Sequence, residues 1–255
     1  MTLAGYDHLL AAARRLQWDD GAIDLTADAA AWPSVDAGAR HRITELVAGF
    51  CVAERAVAEH LSPFAAAAGD RSLAAECFAV QAGDERRHAR FFDRVAREVV
   101  RHDPDAADDG GLVTAGLRAL FEHDLPALAR RLAGGDASLA EGVGLYHLVL
   151  EGIVFAIGQQ ALTDELEAAA VLTGTLEGVR RVQGDERWHV GLGVMCLQDA
   201  GLRTDVGAAA ERAAAAWGPD VATPQRVATV LAVHERRLAQ TRPAEHRRRA
   251  VQSSI

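Results

Sequence analysis

Apolar residues recur every three or four positions through most of the chain, and nowhere do they alternate over the length of a strand. That period lines them along one face of a helix, so the pattern predicts an all-helical protein. A first helix is expected over residues 3–17, broken at Trp18-Asp19-Asp20-Gly21 and followed by an irregular stretch through Trp32-Pro33. Ser34 or Asp36 can accept from the unpaired N–H groups that open the next helix. That helix carries Ile43, Val47, Phe50, Val57 and Leu61 at helical spacing until Pro63 interrupts it and Gly69-Asp70 closes it. A third helix is expected over 71–101, with Phe78, Phe92, Val95 and Val99 inward, then an acidic connector over 103–111. A shorter helix over 112–132 ends at Gly134-Gly135. A long one begins at Asp136 or Ser138 and passes through Tyr146 and Phe155, and another covers 172–200. Two weaker helices, near 206–216 and 224–240, complete the chain. No boundary divides it, so 1–255 reads as a single domain with a core over about 37–202 and C-terminal helices over about 203–241.

Some polar residues fall on these apolar faces. Asp84-Glu85-Arg86-Arg87-His88 and Asp185-Glu186-Arg187-Trp188-His189 repeat one unit, Asp-Glu-x-x-His. Glu and His three apart lie one turn apart on the same face, which sets a carboxylate beside an imidazole. Each unit has a lone Glu upstream on its own apolar stripe: Glu54 lies 31 residues before Glu85, and Glu151 lies 35 before Glu186. These gaps let each lone Glu sit on one helix and its partner unit on the next, antiparallel helix. One Glu from each of two helices and Glu-x-x-His from each of two others is the arrangement of di-iron and di-manganese carboxylate bundles. Glu54, Glu85, His88, Glu151, Glu186 and His189 are therefore the expected ligands of two ions about 3.5–4 Å apart. A single such unit would read as a solvated charge run. Two copies, with all four Glu carboxylates on apolar faces, would be intolerable without cations. Asp84 and Asp185 can accept from the outer ring N–H of the opposite His, and His147, four residues before Glu151, is a candidate for the same outer role.

Glycines at 142, 144, 152 and 158 interrupt a helix interior, each at a cost of about 1 kcal/mol against Ala. Close helix packing or room for a ligand beside Phe155, Gly158 and Gln159 would offset that. Composition narrows the partners. Hydrophobic residues make up 49% and aromatics 5%, there is no Lys, and the net charge of −9 argues against nucleic acid. The run Arg247-Arg248-Arg249 reads as a solvated tail. No apolar run is expected to span a bilayer, and 1–15 lacks the pattern of a signal peptide. Cys51, Cys77 and Cys196 have no metal or redox spacing and read as buried thiols in a reducing, cytoplasmic setting.

From Trp18 to about Leu202 the chain resembles the ligand-binding oxidases related to the ribonucleotide reductase small subunit. The matching stretches are Ile23-Asp24, Asp28-Ala29 and Trp32, then Ala53-Glu54-Arg55-Ala56-Val57 and Leu61-Ser62-Pro63. Asp84-Glu85-x-x-His88-x-x-Phe91-Phe92 and Asp124-Leu125-Pro126 match too, as do Tyr146-His147-Leu148-Val149-Leu150-Glu151-Gly152 and Asp185-Glu186-x-x-His189. The resemblance implies a ferritin-like bundle with extra helices around a four-helix core, and a homodimer. It also implies a Mn/Fe centre (or two Fe), O2 as oxidant, and a long-chain fatty acid held near the metals. It further implies an ether bond between a Val three residues after the first metal Glu and a Tyr five before the third-helix Glu, which are Val57 and Tyr146 here. The chain departs from the family at Gln159, where a Tyr is usual, and in a short C-terminal region.

Rival readings share parts of this pattern. A di-iron N-oxygenase or hydroxylase uses the same Glu and Asp-Glu-x-x-His units, and a ferritin-like iron-binding protein is the non-catalytic rival. A radical-storing reductase subunit fits less well, because Phe92 stands four residues after His88 and 244–255 contains no Tyr.

Overall fold

Asp36, rather than Ser34, starts the first long helix by accepting from the N–H of Ala39 at 3.1 Å. The computed structural model describes residues 5–69, 72–106, 109–199 and 207–240, and no strand occurs among them. The expected helix start at Leu3, the stop at Gly201, and the tail with Arg247-Arg248-Arg249 lie outside the described residues. In chain order the elements are α1 (Tyr6–Arg15), α2 (Thr26–Ala31), α3 (Ala37–His60), α4 (Ser62–Ala67) and α5 (Ser72–Arg94). Next come α6 (Ala115–Arg118), α7 (Leu125–Gly134), α8 (Leu139–Val143), α9 (Ala156–Ala169), α10 (Thr173–Asp199), α11 (Gly207–Ala214) and α12 (Pro224–Gln240). Pro63 does end α3, because it sits in the first turn of α4, where its missing N–H costs nothing. Ser138, not Asp136, opens α8 through a reciprocal capping box with Glu141.

One feature departs from the expected regular helices. Val95–Val100, Ala119–Asp124 and Gly144–Phe155 are π-helical. The third joins α8 to α9 and makes one continuous helix of 31 residues, Leu139–Ala169. Contrary to the expectation from sequence, this helix is long and apolar enough to cross a membrane by length and composition. However, 78% of its most apolar window is buried inside the bundle. A helix apolar all round is what the centre of a helical protein requires.

The core is α3, α5, the Gly144–Phe155 segment and α10, with α3 packed on α5 and α10 packed on the π segment. One apolar cluster runs through the described residues from Leu9 to Val230. Asp28, fully buried, fastens the start of α10. It accepts from the backbone N–H groups of Gly174 (3.1 Å) and Thr175 (2.6 Å) and from the Thr175 hydroxyl (2.7 Å).

The interior glycines mark close packing. A Cβ on Gly142 would press on Leu132 and Phe64, and a Cβ on Gly49 or Gly158 would overlap the indole of Trp217. Trp217, just after α11, is 5% exposed, packs its ring 5.0 Å from that of Phe50, and donates Nε1–H to the Val154 carbonyl at 2.7 Å. Trp217→Ala should cost about 3–5 kcal/mol, read as a drop in the denaturation midpoint. Gly158→Ala should destabilise the parent protein but stabilise the Trp217→Ala background by up to about 1 kcal/mol. The same sign in both backgrounds would disprove the contact.

Candidate metal centre

The four core helices bring all six expected ligands together. Oxygen and nitrogen atoms of Glu54, Glu85, His88 and Glu186 lie within 4.8 Å of one another, and so do those of Glu85, Glu151 and His189. Glu85 belongs to both groups, which is how a bridging carboxylate joins two ions. His88 Nδ1 faces Glu85 (3.2 Å), Glu54 (3.8 Å) and Glu186 (3.8 Å). His189 Nδ1 faces Glu85 (3.0 Å), Glu151 (3.3 Å) and Glu186 (3.8 Å).

The outer ring atoms have carboxylate partners of their own. His88 Nε2–H donates to Asp185 Oδ2 at 3.0 Å, and His189 Nε2–H donates to Asp84 Oδ2 at 3.4 Å. This is the outer-sphere arrangement that orients metal-binding imidazoles. Each Nδ1 faces carboxylates as well, and carboxylates only accept. Burial alone would lower both imidazole pKa values, but these contacts raise them well above the usual value. A bound cation would replace the inner proton and take Nδ1 as its ligand atom.

The donor set fits cations and little else. Both Glu54 oxygens, both Glu186 oxygens and Glu151 Oε2 are buried without a hydrogen-bond partner among the described residues. Burial, reinforced by the neighbouring carboxylates, pushes Glu54, Glu151 and Glu186 above the usual carboxylate range. Burial would raise Glu85 as well, but His189 and His88 hold it well below that range. Two divalent ions would relieve this crowding, and oxygen donors with an imidazole at each end suit Fe and Mn. The described residues supply no thiolate to the centre, because Cys51, Cys77 and Cys196 are buried elsewhere and belong to neither ligand group.

Around the ligands lies a buried network centred on Arg87. Arg87 is 5% exposed and donates to Asp84 Oδ1 (2.6 Å), Asp185 Oδ2 (2.9 Å) and Gln17 Oε1 (3.0 Å). Its guanidinium lies 5.1 Å from the centre of the Trp18 ring, and Trp18 Nε1–H donates to Asp185 Oδ2 at 2.8 Å. Gln17 also donates to Asp84 at 2.9 Å. Arg86 and Arg187 are exposed. One signal separates the three: Arg87 follows Asp84 by three residues, which places it inward with the Asp.

Gln81 was missed altogether. It is fully buried one turn before Glu85, and Nε2–H donates to Glu151 Oε1 (2.8 Å) and reaches the Tyr146 hydroxyl (3.3 Å). Its Oε1 accepts from His147 Nε2–H at 3.0 Å. His147 therefore reaches Glu151 through Gln81. Burial takes the His147 pKa down to about 3, so its ring stays neutral. An i, i+4 match to Glu85 was the available signal for Gln81.

Tyr146 is fully buried and donates its hydroxyl to Glu85 Oε1 at 2.8 Å. Burial, then the nearby Glu151 and Glu85 charges, hold the phenol well above its usual pKa. Val57 is fully buried one turn beyond Glu54 on α3. Phe92 is stacked on Phe50 at 4.6 Å. The chain's other tyrosine, Tyr6, sits on α1 beside Cys196. At the expected ligand pocket, Phe155 stacks on Phe121 at 5.5 Å and Trp217 fills the space beside Gly158. Gln159 is buried with Nε2 unpartnered among the described residues.

No protein-family model matches the sequence. Solved structures of R2-like ligand-binding oxidase variants do match in fold. A valine-to-isoleucine variant with anaerobically reconstituted Mn/Fe cofactor is 20% identical over 93% of each chain, with a TM-score of 0.77. An alanine-to-phenylalanine variant with anaerobically reconstituted Mn/Fe cofactor is 19% identical over 94% of each chain, TM-score 0.76. A tyrosine-to-phenylalanine variant with aerobically reconstituted Mn/Fe cofactor is 19% identical over 93% of each, TM-score 0.75. The chain thus has the helical fold of these proteins, all-helical as its periodicity predicts and ferritin-like as the resemblance implies.

Proposed function

We propose that this protein is an O2-dependent oxidase with a dinuclear Mn/Fe or Fe/Fe centre, acting on or holding an apolar ligand. The observation that carries this reading is the pair of ligand groups sharing Glu85, lined by buried carboxylate oxygens that no group among the described residues satisfies. Glu54, Glu85, His88 and Glu186 would hold one ion, and Glu85, Glu151 and His189 the other. When bound, such ions supply electrons to O2 and hold the reacting oxygen atoms. The chain's own part is positional. Asp185 and Asp84 hold the two imidazoles with Nδ1 inward, Arg87 ties those two aspartates together, and Gln81 sets Glu151. The apolar walls of Phe50, Phe92 and Val57 exclude water. The fold match to Mn/Fe oxidases supports the choice of metals, and metal analysis after loading with both ions separates a mixed centre from a di-iron one.

The Val57–Tyr146 ether belongs to the same proposal. Forming it removes one hydrogen from the Val57 side chain and one from the Tyr146 hydroxyl, and the two electrons pass to O2. The contact of the Tyr146 hydroxyl with Glu85 supports this, since it places the phenol oxygen against the shared ligand. After aerobic metal loading, peptide mass spectra should show a linked pair lighter by two hydrogen atoms. Tyr146→Phe should show no such loss, and an unmodified parent spectrum after O2 uptake would reject the ether. An apolar ligand at Phe155, Gly158 and Gln159 would have to displace the Trp217 ring. Lipid co-purifying with the protein tests for it. Three buried thiols, none joined in a disulfide, support a reducing compartment.

A further inference from the structure

The helix Leu139–Ala169 changes its hydrogen-bond step inside the bundle. The π segment Gly144–Phe155 runs for 12 residues, and α9 resumes the ordinary step at Ala156. π turns are rare and mostly single, so a run of this length needs support from outside itself. The change of step also leaves backbone unpaired. An i→i+5 ladder that passes into an i→i+4 ladder skips one carbonyl at the junction, and a buried carbonyl without a donor is costly. Two donors arrive there from the far end of the chain. Trp217 donates Nε1–H to the Val154 carbonyl at 2.7 Å, and Arg237 donates Nη1–H to the Gly152 carbonyl at 3.2 Å. Both carbonyls belong to buried residues in the last turn of the segment. α11, just before Trp217, and α12, which carries Arg237, both pack on the segment. Glycines permit the approach. The Trp217 ring lies against Gly158, and a Cβ on Gly152 would stand 3.4 Å from Arg237 Nη1 and 3.9 Å from His234 Nδ1.

The register of this segment matters at the centre. Tyr146 and Glu151 are five residues apart, so i→i+5 bonding brings them to one face, whereas an α-helix of 3.6 residues per turn rotates them well apart. One side chain touches both: Gln81 Nε2 lies 2.8 Å from Glu151 Oε1 and 3.3 Å from the Tyr146 hydroxyl. Tyr146 in turn donates to Glu85 at 2.8 Å.

We propose that Trp217 and Arg237 are positioning residues of the metal centre: their two hydrogen bonds hold the segment in its i→i+5 register and so face Glu151 and Tyr146 toward Glu85. The proposal rests on the metal-centre reading. It adds that the α11–α12 end of the chain, which supplies none of the six ligands, sets the geometry of one ion site. The group Glu85, Glu151 and His189 depends on the segment through Glu151. Glu54, Glu85, His88 and Glu186 stand on α3, α5 and α10 and do not.

The test separates the hydrogen bonds from packing and charge. Trp217→Phe keeps a ring in the slot beside Gly158 and removes only the N–H, whereas Arg237→Met removes both donors and charge. Mn2+ titrated by calorimetry into the full-length parent should fill two sites. In the double variant one site should stay as in the parent, and the other should weaken about 10–100-fold, the scale for losing groups that orient ligands. Each single variant should give part of that loss, and Arg237→Lys should recover part of what Arg237→Met loses. The chain has only two tyrosines, Tyr6 and Tyr146, so 3-fluorotyrosine labelling reports the register without metal. The Tyr146 fluorine resonance, assigned with Tyr146→Phe, should move in the double variant while that of Tyr6 stays. Circular dichroism checks that each variant is folded, and the single variants decide by the same readouts where the double variant is not. Two unchanged sites and an unmoved Tyr146 resonance in a folded variant would overturn the proposal. Equal weakening of both sites would overturn it in favour of general loosening. An effect of Arg237→Met with none from Trp217→Phe would overturn it in favour of charge balance at Glu151. A Glu85→Ala chain that still binds two ions would instead refute the metal centre, and the Tyr146 resonance would still decide the register.

Discussion

Glu85→Ala is expected to take the protein from about two bound ions per chain to well below one, because Glu85 alone belongs to both ligand groups. Metal analysis after loading and desalting measures this directly. Glu85→Gln should behave alike, since the amide keeps the shape and an acceptor for the Tyr146 hydroxyl but loses the charge. Stability should respond in a linked way. An ion held at 100 to 1,000 times its Kd stabilises the fold by about 3–4 kcal/mol, so the parent should melt higher on metal addition and the Glu85 variants should not. In chelator the metal-linked part of the difference should vanish. Glu85→Ala should then still lie below the parent, because His88, His189 and the Tyr146 hydroxyl lose the carboxylate they contact. A Glu85→Ala protein that retained its full metal content would refute the assignment of the centre.

The second large effect is expected at Arg87. Its guanidinium is the buried cation between Asp84 and Asp185, and removing one partner from a buried ionic network costs about 3–5 kcal/mol. Such a loss is a large part of a typical domain's net stability of about 5–15 kcal/mol, so Arg87→Ala should show a much lower denaturation midpoint. Arg87→Lys should recover only part, because an ammonium cannot present the fork that reaches Asp84, Asp185 and Gln17 together.

The sign of the pH dependence follows from Asp84. Burial alone would raise its pKa, but its contact with His189 and the charge of Arg87 hold it below the usual range. Its stabilising contribution is therefore complete above the ordinary Asp pKa of about 3.9 and is lost as pH falls through the lower folded value. Without Arg87 the contribution should be smaller and its loss complete at a higher pH. Metal affinity should also fall, by about 10–100-fold, since Asp84 and Asp185 orient the two imidazoles. An Arg87→Ala protein within about 0.5 kcal/mol of the parent, the scatter of ordinary surface substitutions, would show that the network carries no such weight.

The six ligands were legible in the sequence because their geometry is local. Glu85 with His88, and Glu186 with His189, need only a helix to stand together, and the apolar stripes around Glu54 and Glu151 declare which way those residues face. The order of the long helices was legible for the same reason, whereas the short α2, Thr26–Ala31, lies in a stretch expected to be irregular, because a six-residue helix carries too little period to show. Asp84 and Asp185 followed from adjacency, although which His each serves depends on helices crossing.

What the tertiary structure decided involves groups far apart in the chain or backbone states that side-chain spacing does not encode. Gln81 and Arg87 look like ordinary polar helix residues until Glu151 and Asp185, 70 and 98 residues away, are placed against them. The π segment over Gly144–Phe155 is invisible to a pattern read at the α period. Its i→i+5 hydrogen bonding brings Tyr146 one turn below Glu151, where an α-helix would rotate it aside.

The glycines told a similar story. Their cost in a helix announced that something approaches closely, but only the fold identified Trp217 at Gly158 and the His234–Arg237 pair at Gly152. The sequence by itself determined an all-helical chain with two Glu-x-x-His units and two lone carboxylates, since helical period and burial are properties of short stretches. Only the packing of distant helices decided how those carboxylates are shared, oriented and covered, because desolvation and hydrogen-bond geometry exist only once the helices meet.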